Sequence, residues 1–345
     1  MFLEKEGKLI YSYDGETVCI EAWGKDALRV RATKNRSFTG RDWALEAKDA
    51  HAGEVEIFED PSAKGGAFAN MYEGTDTSYG KITNGKLHAV IDSGSVITFY
   101  HEDGRVLLKE HFRRLRDEES MPLNIMGREY SNGVGDNFRI VARFVARKGE
   151  KIFGMGQYQQ HELDLKGCML ELAQRNSQVS VPFYLSSIGY GFLWNNPGVG
   201  QVMFANNGTE WVTESGKEID YLVIAGDTPA EIEENYMTLT GKPPMMPEYG
   251  MGFWQCKLRY WNQEQLLSVA RKYKELGVPL DVIVVDFFHW TKQGEFKFDP
   301  KYWPDVPGMC RELKEMGIQV RGDEGEGLSG SHGARCTADD ALRRK

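Results

Sequence analysis

The sequence contains no CxxC pair, and its five cysteines, Cys19, Cys168, Cys256, Cys310 and Cys336, fall at no spacing that suits a zinc site or a disulfide framework. A reducing compartment is the expected setting. It also contains no run of 18 apolar residues, and its amino terminus, MFLEKEGKLI, places Glu4, Lys5 and Glu6 where a secretory signal needs an apolar core. Neither a membrane span nor a leader is expected, and the expected localisation is cytoplasmic. Basic residues are outnumbered, 42 against 51 acidic ones, and the net charge of −9 argues against nucleic acid or an anionic membrane as partner. No GxxxxGK[ST] occurs, and no strand-like run passes directly through a GxGxxG into a helix pattern, GEGLSG at 325–330 lying in an aperiodic glycine-rich stretch, which weighs against a nucleotide. His289 has no second histidine or carboxylate at ligand spacing, so no metal is expected, and no other cofactor.

What is present is an ordinary globular composition: 345 residues at 41% apolar content suffice for about two domains with sizeable cores. From residue 16 to about residue 225, short alternating segments are separated by turn dipeptides, the pattern of an antiparallel β-sandwich. Leu28 and Val30 alternate with Arg29 and Arg31; Leu87, Ala89 and Ile91 alternate with His88 and Val90. FRIVARFVA and VPFYLSSIGYGFLW continue the β-rich composition, and Asn84-Gly85, between KIT and KLHAVI, predicts a hairpin. The stretch from about Ala47 to Gly80 has little periodicity, and no strands are placed there.

PAEIEENYMTL, residues 229–239, predicts a short helix with Ile232, Tyr236 and Leu239 on one face. KPPMMPEYG, with Pro243, Pro244 and Pro247, can form neither a regular helix nor a central strand, and marks a domain boundary. The pattern then changes to strand, helix, strand, helix, strand, repeating every ~40 residues, as in right-handed β/α units. A helix is expected from the cap Asn262, with Gln265 three residues on, to about Leu276. A second contains Pro307 in its first turn and turns Met309, Cys310, Leu313 and Met316 inward.

Between these helices lies LDVIVVDFFHW. Val282 to Val285 form a continuous β-branched run, as expected of a parallel strand covered on both faces. Asp286 ends it, and a charged carboxylate belongs where such a strand emerges, at the carboxyl end of the sheet where α/β folds bind ligands. On residue chemistry alone, Asp286 is equally a ligand-binding group or a structural carboxylate. Phe288 and Trp290 after it, and Trp254 at the end of the preceding strand, either line a pocket or belong to a core. Lys257 and Arg259 read as solvated or salt-bridged.

Several stretches carry a specific resemblance. TVCIEAWGKDALRVRAT, FGMGQ at Phe153 to Gln157 and VPFYLSSIGYGFLWNN resemble the amino-terminal domain of the family 31 glycoside hydrolases, the α-glucosidase and α-xylosidase family. GFWQCKLRYWNQEQLLSVARKYKELGVPLDVIVVDFFHW followed by FKFDPKYWPD resembles the opening of that family's catalytic barrel, most closely in its α-xylosidases. The resemblance implies an antiparallel β-sandwich over residues 1–240, then the first β/α units of a (β/α)8 TIM barrel over 241–320, truncated. It also implies that Asp286 accepts hydrogen bonds from sugar hydroxyls, with Phe288, Trp290 and Trp254 as substrate-binding neighbours. A sandwich loop that supplies an acidic residue in the family reads LELAQRNSQVS here, with Arg175 and Asn176 in place of an obvious aspartate.

In the family two aspartates, nucleophile and acid/base, follow the fourth and sixth barrel strands, so no catalytic residue is expected within this chain. After GIQV the sequence becomes RGDEGEGLSGSHGARCTADDALRRK, which has no apolar run and reads over 321–345 as an aberrant, disordered tail. A frameshift after about Val320 would produce it; DNA whose other two reading frames restore no apolar strand would exclude that origin. The expected partner is a small xyloside or glucoside, with oligomer formation possible. A transglycosylase of the same family and a non-catalytic carbohydrate-binding or assembly module are the alternatives.

Overall fold

The structure is a computed structural model that describes residues 1–46, 49–61, 77–111, 113–114, 124–295 and 297–322. Its chain divides into two compact units, Met1–Pro243 and Pro244–Lys345.

All strand pairings described in the first unit are antiparallel. One sheet runs in the order Phe2–Lys5, Lys8–Tyr13, Glu16–Trp23, Ala27–Thr33, Ile219–Ala225, Tyr190–Trp194, Val179–Ser186, Ile152–Gln157, with Ala50–His51 beside Glu16–Trp23. A second has the order Val106–Lys109, Ile97–His101, Leu87–Asp92, Tyr79–Asn84, Glu54–Phe58, and a third the order Arg128–Asn132, Phe138–Phe144, Thr209–Gly216, Gly200–Phe204, Met169–Leu172. Side chains from all three meet in one core, among them Leu9, Ile20, Ile82, Phe99, Phe144 and Trp211.

The strand Ile219–Ala225 is buried at every position, and its period-2 geometry explains why. Tyr221 and Val223 face the shared core, while Leu222 and Ile224 face the opposite side. There they meet helix α1, Pro229–Thr240, through Ile232 and Leu239. Thr228 caps this helix, and Tyr236 stacks on Phe183 at 3.8 Å.

The expected hairpin forms one residue later than the Asn-Gly pair suggests. Asn84 remains in its strand opposite Leu87 and donates to the carbonyls of Gly24 and Ala27. Gly85 takes the left-handed first turn position (φ 56°), where a Cβ would meet the carboxylate of Asp26. In the aperiodic stretch, Ala50–His51 and Glu54–Phe58 are strands, both too short or too exposed to carry a strong pattern; residues 62–76 lie outside the described set.

In the second unit the strands, numbered β1 to β3, are Trp254–Gln255, Val282–Val285 and Gln319–Gly322, all parallel. Helix α2, Gln263–Glu275, and helix α3, Val306–Glu315, cover them with Leu266, Leu267, Ala270, Met309 and Leu313. Asn262 caps α2 by accepting from the Gln265 N–H, and the Gln265 side chain reaches back to the N–H of Trp261. The strand β3 extends past Val320: Arg321 and Gly322, read above as tail, pair with Val284 and Val285 because the parallel ladder continues through them. The rest of that stretch, 323–345, lies outside the described residues. Cys310 is disulfide-bonded, which its isolated spacing did not announce, whereas Cys19, Cys168 and Cys256 are free thiols. Among the described residues, no helix is long and apolar enough to cross a membrane, and no group of three or more His, Cys, Asp or Glu side chains could hold a metal ion.

Candidate functional site

Two aspartates bracket β2, and their surroundings separate their roles. Asp281, before the strand, accepts from the Phe253 N–H through its carboxylate (3.0 Å) and from the Gln319 N–H through its carbonyl (2.8 Å). It ties together the amino ends of all three strands. Asp286, one residue past the strand, is half-buried and accepts from the N–H of Phe287 at 2.8 Å. Its other oxygen faces the Cys256 thiol at 3.7 Å. No cation pairs with it among the described residues, so it is not the carboxylate half of an ion pair. It stands at the carboxyl end of a parallel sheet with acceptor capacity to spare.

The aromatic residues beyond it divide. Trp290 is buried, stacked edgewise on His289, whose ring lies 4.9 Å from Phe298. The turn Phe298-Asp299-Pro300 fixes this loop: the Asp299 N–H donates to the carbonyl of His289, and its own carbonyl accepts from Tyr302 and Trp303. Phe288, in contrast, is 60% exposed and has a positive φ of 63°, a conformation that bulky side chains rarely adopt. The Arg259 guanidinium lies 4.8 Å from the Phe288 ring and 3.6 Å from that of Trp261. Thus Arg259, expected to be solvated or salt-bridged, instead lies between two aromatic rings beside the strand exit.

Trp254 is opposite Val282, four residues before Asp286 or about 13 Å of strand rise. Its indole donates to the carbonyl of Gly250 and its ring receives Arg321 at 5.4 Å. The residue of this segment that does reach Asp286 is Cys256, which the sequence reading did not single out. Only the parallel register, with Gln255 opposite Ile283, brings them together. Nearby, Gln255 accepts from the Tyr273 hydroxyl at 2.7 Å, and burial pushes the Tyr260 phenol up. One half-buried carboxylate at a strand exit can accept hydrogen bonds from hydroxyl groups. It does not constitute the pair of carboxylates that glycosidic double displacement requires.

Residues 17–202 match the family description "Glycosyl hydrolase 31 N-terminal galactose mutarotase-like domain", and residues 243–322 match "Glycosyl hydrolases family 31 TIM-barrel domain". The chain belongs to glycosyl hydrolase family 31. A family 31 glucosidase of Pseudescherichia vulneris, described as uncharacterized, is 41% identical over 329 residues, which are 92% of this chain and 59% of the relative. Alpha-xylosidase A of Aspergillus niger is 29% identical over 87% of this chain and 41% of its own length. Among solved structures, a family 31 α-xylosidase from a soil metagenome, complexed with xylose, is 44% identical with a TM-score of 0.82, covering 93% of this chain and 46% of that one. The chain thus spans about half the length of the relatives it matches. Within the family 31 barrel its described strands are the opening β/α units.

Proposed function

We propose that this chain carries the sandwich and the first part of the catalytic barrel of a retaining α-glycosidase, acting on α-linked xylosyl or glucosyl residues at non-reducing ends. The observation that supports the reading is Asp286: a half-buried carboxylate without a cationic partner among the described residues, at the exit of a parallel strand, with an exposed and strained Phe288 two residues on. In this role the carboxylate accepts hydrogen bonds from two hydroxyls of the terminal sugar, and Phe288 packs against the sugar's apolar face. A sugar lacking one of those hydroxyls leaves a desolvated acceptor unpaired, which costs about 1–3 kcal/mol.

Retention of configuration needs two carboxylates about 5 Å apart across the scissile bond, one as nucleophile and one as acid/base. Asp286 is neither; it is a recognition group. The 345-residue chain alone is therefore expected to hydrolyse neither a 4-nitrophenyl α-xyloside nor the corresponding α-glucoside. Turnover by this chain that survives Asp286→Ala would sink the reading. Cytoplasmic action on a small soluble saccharide is part of the same proposal, resting on an amino terminus that carries Glu4, Lys5 and Glu6 where a secretory signal needs an apolar core.

A further inference from the structure

A cavity of about 640 Å³ opens in the first unit, lined only by residues of the sandwich. Trp43, Phe38, Asn35, Asn196, Ser215 and the Asp136–Lys217 ion pair contribute to its walls. Its size falls in the range of small-ligand pockets.

What marks it as built is the way Trp43 is presented. The indole is 44% exposed, yet its backbone is left-handed (φ 53°), a conformation that costs a bulky residue free energy. Completely buried side chains impose it. Arg29 donates to the Asp42 carboxylate at 2.8 Å and to the Arg41 carbonyl at 2.9 Å, gripping the loop just before Trp43. Asn195 grips both sides, donating to the Asp42 carbonyl at 3.0 Å and accepting from the Ala44 N–H at 3.2 Å. Buried Glu218 fixes the preceding segment by accepting from both the N–H and the hydroxyl of Thr39. An exposed tryptophan that contributes nothing to the core is thereby held rigid, with Arg41 at 5.2 Å from its ring.

The polar lining is equally fixed. The amide nitrogen of Asn35 is committed to the carbonyls of Asp136 and Lys217, and that of Asn196 to the carbonyl of Asp220. Each amide therefore offers its oxygen, and Ser215 offers a hydroxyl. The two carboxylates are already occupied, Asp136 by Lys217 and Glu218 by Thr39. A flat aromatic face, amide oxygens and hydroxyls, with carboxylates already satisfied and Arg36 and Arg41 also in the wall as hydrogen-bond donors, suit a ligand that has one apolar face and many hydroxyls.

We infer that this cavity is a second saccharide-binding site, with Trp43 as its platform, separate from the barrel site and non-catalytic. The choice of saccharide rests on the function proposed above. Such a site would hold an oligosaccharide to the enzyme without acting on it.

Isoprimeverose, isomaltose and xylose titrated calorimetrically into the 345-residue chain test this. Saturable binding is expected, at least tenfold weaker in Trp43→Ala and unaltered at this site in Asp286→Ala. Ser215→Trp fills the cavity while leaving the residues of the Trp43 loop unchanged, and should weaken binding as much; circular dichroism verifies that each variant is folded. Wild-type binding in both cavity variants, or no saturable binding of any of the three sugars, overturns the inference. Trp43-dependent binding that shows no preference for the xylosyl disaccharide would leave the cavity standing and remove only the xyloside part of the earlier reading.

Discussion

Arg29 and Asp220 are fully buried and meet in a fork, Nε to Oδ1 at 2.9 Å and Nη2 to Oδ2 at 2.6 Å. Removing one member of such a pair strands the other charge in the core. Arg29→Met is therefore expected to destabilise the first unit by about 3–5 kcal/mol in denaturant unfolding. Replacing both residues by apolar ones should cost less than the sum of the single changes; a strictly additive result would mean that the fork is not a coupled unit. Little of this was legible in the sequence. Arg29 showed only as the polar half of an alternating strand, and its partner lies 191 residues away. Trp43 was equally silent, since neither glycine nor asparagine marks its left-handed backbone. Asp286 was legible because a buried β-branched run ending in a carboxylate is a local pattern. Its contact with Cys256 was not, because that depends on the register of two parallel strands.

At the level of elements, the helices were read closely because their caps and stripes are local. Asn262 does accept from the Gln265 N–H, and Asn262→Ala is expected to lower the stability of the second unit by about 1 kcal/mol. An unfolding midpoint that does not move would show that Gln265, by holding the N–H of Trp261, already fixes the helix start. Between α2 and α3, Arg271 binds both carboxylate oxygens of Glu312, at 2.5 and 2.9 Å. Hydrogen bonding to Arg271 holds the Glu312 carboxyl below its ordinary value of 4.5. The folded state therefore binds this proton more weakly than the unfolded chain. The clamp's stabilisation is complete above about pH 4.5 and is lost as pH falls through the lower, folded value. Its size is small because both groups are partly exposed. Unfolding of the parent and of Arg271→Gln should differ near neutrality and converge in acid; a gap that widens in acid would contradict the assignment. The strand β1 was the element least legible, since only two residues of it pair.

At the scale of the whole molecule, the sandwich has a shared core across three sheets, whereas the described residues of the barrel unit form three parallel strands where a closed barrel has eight. Met251, Leu258, Trp261 and Phe288 are each more than half exposed in that unit. Such apolar surface predicts concentration-dependent self-association of this chain. Sedimentation velocity that shows a clean monomer across a hundredfold concentration range would contradict it. Recognition at Asp286 remains the central claim, and its most direct test is calorimetric titration of isoprimeverose into the Trp43→Ala chain, which removes the sandwich cavity from the measurement. Residual weak binding is expected, which Asp286→Asn reduces by about 1–3 kcal/mol; equal binding with and without the carboxylate would rule out recognition at Asp286.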